Sequence, residues 1–278
     1  MWLRVTSELE MNLTVASPML LLLRPRSDAY QWVATDRYRV SPDIHVAEYT
    51  DRHGNLCQRL MAPAGHFAVH VSADVRIRPE DIDVTDAPFV PVERLPDEVL
   101  VYLLPSRFCE ADRLGARAWE IVGGRRPGHE QVTAISRWIH ARIDYCPDTD
   151  PAPIAASEVL ARGSGVCRDL AHLGIALCRS LSIPARLAVG YVHGLEPMDL
   201  HAWFEAFVGG RWHTFDPTQA NPGTGRVRLA YGRDATDVPL YHLFGPPAIP
   251  TRMEVDVQLM TDPGPVHAGP AAPPPENS

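Results

Sequence analysis

Three side chains in this sequence, Cys167, His201 and Asp216, are of the types that together break amide bonds. A thiol attacks an amide carbonyl well only as a thiolate. An imidazole beside it can take the proton and later return it to the leaving amine, and a carboxylate can fix the tautomer of that imidazole and stabilise its charged form. Taken singly, each residue has a plainer reading: Cys167 as a small core side chain, His201 as a satisfied histidine, Asp216 as a strand-ending residue before Pro217. The spacing draws them together. Gly163, Ser164 and Gly165 lead into a predicted helix over 166–181, which puts Cys167 in its first turn, where unpaired backbone N–H groups and the positive end of the helix dipole favour a thiolate and could hold an oxyanion. The two glycines would also let a substrate approach the backbone. Cys178 falls in the apolar stripe Leu170, Leu173, Gly174, Leu177, Leu181 and is expected to be buried and inert.

The other two residues are placed by a hairpin. If Gly209-Gly210 is a two-residue turn, Val208 faces Arg211, and the strands 201–208 and 211–216 pair with Trp203 opposite Asp216 and His201 opposite Thr218. His201, Trp203, Glu205 and Phe207 then share a face with Trp212, Thr214, Asp216 and Thr218. His201 and Asp216 become diagonal neighbours roughly 7–8 Å apart at the backbone, within side-chain reach. A register slip of one residue would send them to opposite faces.

The elements that must carry these residues follow from hydrophobic period. Over 66–77, Phe67, Val69, Val71, Ala73, Val75 and Ile77 alternate with polar or small residues, as on a half-buried strand. Residues 19–23, Met-Leu-Leu-Leu-Leu, fit a strand buried on both faces. Several short strands before residue 105 predict a small β-sandwich. From 106 to 145 the period turns helical, with Val132, Ile135, Trp138, Ile139 and Ile143 on one face. Strands return at 185–191. The expected organisation is a β-rich domain over 1–105, a catalytic domain over 106–260, and a proline-rich disordered tail over 261–278.

Composition narrows the partners. A net charge of −8 argues against a general nucleic-acid binder. No run approaches the ~20 apolar residues of a membrane span, and 19–23 is too short for a signal core, so the expectation is a cytoplasmic protein without membrane partners. The five cysteines are odd in number, widely spaced and without a C-x-x-C pair, poor material for a disulfide framework or structural zinc. Zinc held by Cys167, His201 and Asp216 would have only three ligands. No cofactor or metal is expected, and the oligomeric state is left open.

Gly165-Val166-Cys167-Arg168-Asp169-Leu170-Ala171-His172-Leu173 resembles the nucleophile helix of bacterial transglutaminase-like proteins. His201-Ala202-Trp203-Phe204-Glu205-Ala206 resembles their histidine strand, and Trp212-His213-Thr214-Phe215-Asp216-Pro217-Thr218 their aspartate strand. Leu181 to Arg186, with Gly190-Tyr191, resembles the connecting segment. Leu103 to Cys109 and Gly232 to Val238 resemble flanking segments of one bacterial branch that carries a β-rich N-terminal region. The resemblance implies an α+β protein with a papain-like, transglutaminase-like core, a nucleophile helix packed on an antiparallel sheet, preceded by the small β-sandwich. It implies Cys167 as nucleophile, His201 as base and Asp216 as orienter, acting by acyl transfer through a thioester on a peptide or protein substrate with a reactive amide. Hydrolysis is the expectation. The alternatives are transfer to an amine acceptor and a non-catalytic binding protein on the same fold. Tyr145 and Trp138 are the candidates for a second oxyanion donor. His172, about 140° around the helix from the thiol in its own turn geometry, is expected to pack or hydrogen-bond. Asp234 and Asp237 are expected to fix a loop.

Overall fold

The computed structural model describes residues 1–78, 86–146, 152–219 and 225–261. The tail expected to be disordered lies, from residue 262 on, outside the described residues, as does the segment 147–151.

The N-terminal region forms strands β1 (Trp2–Leu13), β2 (Ser17–Leu21), β3 (Gln31–Ser41), β4 (Val46–Thr50), β5 (Leu56–Ala62) and β6 (Gly65–Ile77). The alternation read over 66–77 holds: all six apolar residues of β6 are buried. Strand β6 pairs antiparallel with β1 and β3, and β2 pairs with β5, which pairs with β4. Leu9, Met11, Met19, Leu21, Phe67 and Val69 pack between the two sheets, as in a sandwich. Residues 19–23 differ from expectation. Strand β2 alternates, with Pro18 exposed and Leu20 half-buried, and it ends at Leu21. The apolar run continues because Leu22 turns into a second core while Leu23 stays in the first.

Helices α1 (Asp97–Leu100), α2 (Gly115–Val122), α3 (His129–Arg142), α4 (Ala156–Arg162) and α5 (Cys167–Ser180) follow, with two-residue strands β7 (Asp144–Tyr145) and β8 (Ser164–Gly165) between them. The helical stretch expected over 106–145 is broken: Gly123 and Gly128 take positive φ angles of 54° and 111° and separate α2 from α3. A four-stranded antiparallel sheet then runs in the order β11 (Arg211–Phe215), β10 (His201–Val208), β9 (Ala185–Val192), β12 (Arg226–Gly232). Helix α5 lies between this sheet and helices α2, α3 and α4. Every residue from Asp169 to Arg179 is buried, so the expected one-sided stripe is replaced by burial all round. The helix meets the sheet at Gly174, where an added Cβ would sit 2.5 Å from the Phe204 ring.

Two strands redraw the expected domain limits. Strand β13 (Tyr241–Leu243) pairs with β2, and β14 (Arg252–Met260) pairs with β1, so residues past 240 complete the N-terminal sheets rather than the catalytic domain. The reason is an edge: β1 has β6 on one side and needs a partner on the other. The two regions also share a core, in which Leu3, Val5, Val75 and Ile77 join Ile175, Leu177 and Val189. Gln31 spans the boundary by donating from Nε2 to the Arg228 carbonyl and accepting from the Arg228 N–H, both at 2.7 Å. The architecture is α+β, with a nucleophile-bearing helix on an antiparallel sheet beside a β-sandwich.

Candidate active site

Cys167 is the first residue of α5, and its approach is built from local necessities. Gly163 ends α4 in the left-handed conformation, φ 72°. Ser164 and Gly165 pair in parallel with Asp144 and Tyr145. A Cβ on Gly165 would lie 2.9 Å from the Asp169 Cβ, so this glycine makes room for the carboxylate that caps the helix. The expected role of the two glycines, admitting substrate, therefore yields to chain reversal and cap packing. Val166 precedes the helix in extended conformation and has no side-chain acceptor, so only the returning half of a capping box exists: Asp169 Oδ2 accepts the Val166 N–H at 3.2 Å. Intrahelical bonding starts at Asp169 N and Leu170 N, both to the Val166 carbonyl. The N–H groups of Cys167 and Arg168 have no helical carbonyl to bond.

The thiols divide by environment. Cys167 and Cys146 are half-buried, whereas Cys57, Cys109 and Cys178 are buried. Burial pushes the Cys109 thiol up to about 12 and the Cys178 thiol further.

The hairpin forms in the expected register, from Phe204 opposite Phe215 to Val208 opposite Arg211. Gly209 and Gly210 have φ of 60° and 82°, as a type I′ turn requires. Just past the end of β11, Asp216 Oδ2 lies 2.9 Å from His201 Nε2. Both residues are buried, at 1% and 2% exposure. Burial opposes charge on each, and the pair overcomes it. For His201, burial pushes the pKa down, but the hydrogen bonds to Asp216 and to the Cys167 thiol, with their charges, carry it up to about 9. For Asp216, burial pushes up, but the His201 bond and charge, Arg226 and Thr218 hold it at about 2. With Nε2 taken by Asp216, Nδ1 is the ring nitrogen left for the thiol.

Two residues the sequence reading did not single out complete the carboxylate's surroundings. Thr218 donates its hydroxyl to Asp216 Oδ1 at 2.6 Å and its N–H to the same oxygen at 3.1 Å. Arg226 Nη2 reaches Asp216 Oδ2 at 3.0 Å. The register had placed Thr218 opposite His201, so its position was legible. Arg226 comes from β12, which β9 separates from β10, and at Gly190 the backbones of β9 and β12 approach closely. A Cβ on Gly190 would lie 2.0 Å from the Val227 carbonyl oxygen.

A cleft of about 570 Å³ contains Cys167 and His201 together with Tyr145, Arg168, Val189 and Leu240. The two candidates for a second oxyanion donor separate here: Tyr145 lines this cleft, while Trp138 lines a groove between α2 and α3 with Ile121 and His129. His172 is fully buried. Its Nδ1 faces the Ile154 carbonyl at 3.4 Å and its Nε2 accepts the Ala235 N–H at 3.1 Å, and burial drives its pKa down to about 4. Glu205, on the face expected for it, is buried between Arg186 and Arg228 at 2.7 and 2.8 Å. Asp234 accepts the N–H groups of Phe108 and Thr236, and Asp237 binds Arg233 and His53, so both tie down the loop beside the cleft. Cys167, His201 and Asp216 stand in series, the carboxylate behind the ring, which is not how ligands converge on zinc. Among the described residues no group of three or more His, Cys, Asp or Glu is arranged to hold a metal ion, and no helix is long and apolar enough to cross a membrane.

A thiol at a helix mouth, with an imidazole and a buried carboxylate from an adjoining antiparallel sheet, defines a papain-like α+β arrangement. Residues 115–217 match the model of the transglutaminase-like superfamily, and residues 13–78 match that of the bacterial transglutaminase-like N-terminal region. The chain is similar to a candidate cysteine protease from Cytophaga hutchinsonii, at 33% identity and a TM-score of 0.86 over 94% of this chain and 92% of that one. It is also 28% identical to an uncharacterized protein of Mycobacterium leprae (strain TN), over 78% of this chain and 82% of that one. The chain belongs to the transglutaminase-like superfamily, and these likenesses support a general cysteine-dependent activity.

Proposed function

We propose that this protein hydrolyses an amide bond of a peptide or protein through a thioester on Cys167, with His201 as acid–base and Asp216 as orienter. The observation that carries the reading is the buried 2.9 Å contact between His201 Nε2 and Asp216 Oδ2, in a cleft that also holds Cys167. The Cys167 thiolate adds to the carbonyl carbon, and the oxyanion rests on the Cys167 N–H. Tyr145 is the second donor, on the strength of its place in the cleft. The C–N bond breaks as His201 delivers its proton to the leaving amine. Water then adds to the thioester with His201 accepting its proton, and the acid is released as the thiolate re-forms.

A lysine amine in place of water would make the same site a cross-linking transferase. We also propose a cytoplasmic location, supported by five cysteines none of which is in a disulfide.

The test is alkylation of each cysteine by iodoacetamide across pH, read by mass spectrometry in wild type and His201→Ala. Rapid labelling of Cys167 well below pH 8 that slows without the imidazole supports the pair. Labelling no faster than that of a free thiol, unchanged in the variant, ends the catalytic reading. A peptide-amide substrate incubated with and without a primary amine then separates hydrolysis from transfer.

A further inference from the structure

The residue after the thiol has a charge that the reaction above does not use. Arg168 lines the cleft with Cys167 and His201, and among the described residues of that lining it is the only lysine or arginine. Its side chain is 23% exposed, and its contact with Asp169 is a single 3.3 Å approach from Nε to Oδ1. Its Nη2 is shielded from solvent and has no acceptor among the described residues. The nearby acceptors are engaged elsewhere. Asp169 Oδ2 holds the Val166 N–H, Oδ1 faces the Ile154 N–H, and the Ile154 carbonyl faces His172 Nδ1. Across the cleft, Asp199 is exposed and accepts the Leu200 N–H.

A desolvated guanidinium donor without an acceptor is costly to keep, and a leucine or methionine would fill a purely structural position on this wall. The other walls are largely apolar, including Leu187, Val189, Leu195, Leu200, Val238 and Leu240. Such walls strengthen any ion pair made among them. The part of this guanidinium that remains exposed at the cleft can give a carboxylate a charge-assisted hydrogen bond.

We propose that Arg168 is an anion subsite beside the nucleophile, and that the acyl donor carries a carboxylate within about one residue of the bond attacked, a side-chain or terminal carboxylate serving equally. The subsite rests on Cys167 being the nucleophile. It assigns the substrate class as acidic amides and gives Arg168 the part of a specificity determinant. The protein's net charge of −8 repels anions at a distance, so recognition acts by contact and depends only weakly on salt.

Two reagents of equal size separate the subsite from the nucleophile. Iodoacetate and iodoacetamide both give an S–CH2 bond at Cys167 with loss of iodide, and they differ only in carboxylate against carboxamide. The ratio of their rates at Cys167 in native protein is compared with the ratio at the same residue in denaturant. The expected native ratio is roughly tenfold higher in favour of iodoacetate. Arg168→Gln should bring it to within about twofold of the denatured value, and Arg168→Lys should keep part of the preference. A native ratio equal to the denatured one, or a raised ratio that survives Arg168→Gln, overturns the subsite while leaving the nucleophile standing. Slow labelling by both reagents overturns the nucleophile and the subsite with it.

Discussion

A carboxyl group as buried as Asp216 would ordinarily hold a proton. It stays ionised because donors from three residues, His201, Thr218 and Arg226, converge on it, and that ionisation keeps His201 cationic up to about pH 9. Asp216→Asn removes the charge and keeps the shape. The alkaline limb of the pH–rate profile should then move to lower pH by at least about one unit, with kcat down on the order of a hundredfold or more. The sign for stability follows from the two shifts. The His201 contribution is fully present below 6.5 and is lost as pH rises through about 9, and that of Asp216 is fully present above 3.8 and is lost as pH falls through about 2. The difference in unfolding midpoint between wild type and His201→Gln should therefore be largest between these usual values and should narrow from pH 6.5 to 9. A second expectation concerns the inert thiols: native protein exposed to iodoacetamide at pH 8 should label at Cys167 and Cys146, with Cys109 and Cys178 labelling only after unfolding. The three central residues were legible because a helix mouth and a two-glycine hairpin are local signals that fix position and register. Arg226 was not, because its contact depends on a strand two places away in the sheet, and nothing near it in sequence reports that neighbour.

At the level of elements, two glycines set the distance between parts of the site. Gly174 on α5 faces the Phe204 ring and Gly190 on β9 faces the Val227 carbonyl, each with no room for a methyl group. Gly174→Ala should cost about 1–3 kcal/mol by overpacking, despite a helix-propensity gain of up to ~1 kcal/mol, as measured by urea unfolding. Gly190→Ala meets backbone, which cannot yield as a side chain can. The expected result is displacement of β12, loss of the Arg226 contact and a loss of activity larger than the loss of stability. The alternation of β6 was plain in the sequence because one face of the strand carries every large apolar residue. The burial of α5 on all sides was not. His172 hydrogen-bonds as expected, to the Ile154 carbonyl and the Ala235 N–H, and Arg179, which the sequence did not single out, is satisfied by the carbonyls of Leu104, Ala185 and Arg233. Polar residues with such partners look like surface residues until the partners are in place.

Across the whole molecule, the sandwich and the catalytic part are bound too closely to act as separate domains. Their shared core and the Gln31–Arg228 bridge predict a single cooperative unfolding transition, coincident by near-UV circular dichroism and by tryptophan fluorescence. A fragment starting at residue 106 would strip β1, β2 and β6 from that core and should lack a cooperative transition. Two separate transitions in the full chain would contradict this. Hydrophobic alternation marked the first hundred residues as β but could not reveal that β13 and β14 return to them, because strand partners far apart in sequence leave no periodic trace. That return has a consequence during synthesis. Strand β1 leaves the ribosome well before residues 252–260, the strand that covers its outer edge. Until then the nascent chain carries an open row of backbone donors and acceptors, which invites chaperones while translation continues and proteases if it stalls. A copy that stops short of residue 252 would keep that edge of β1 uncovered.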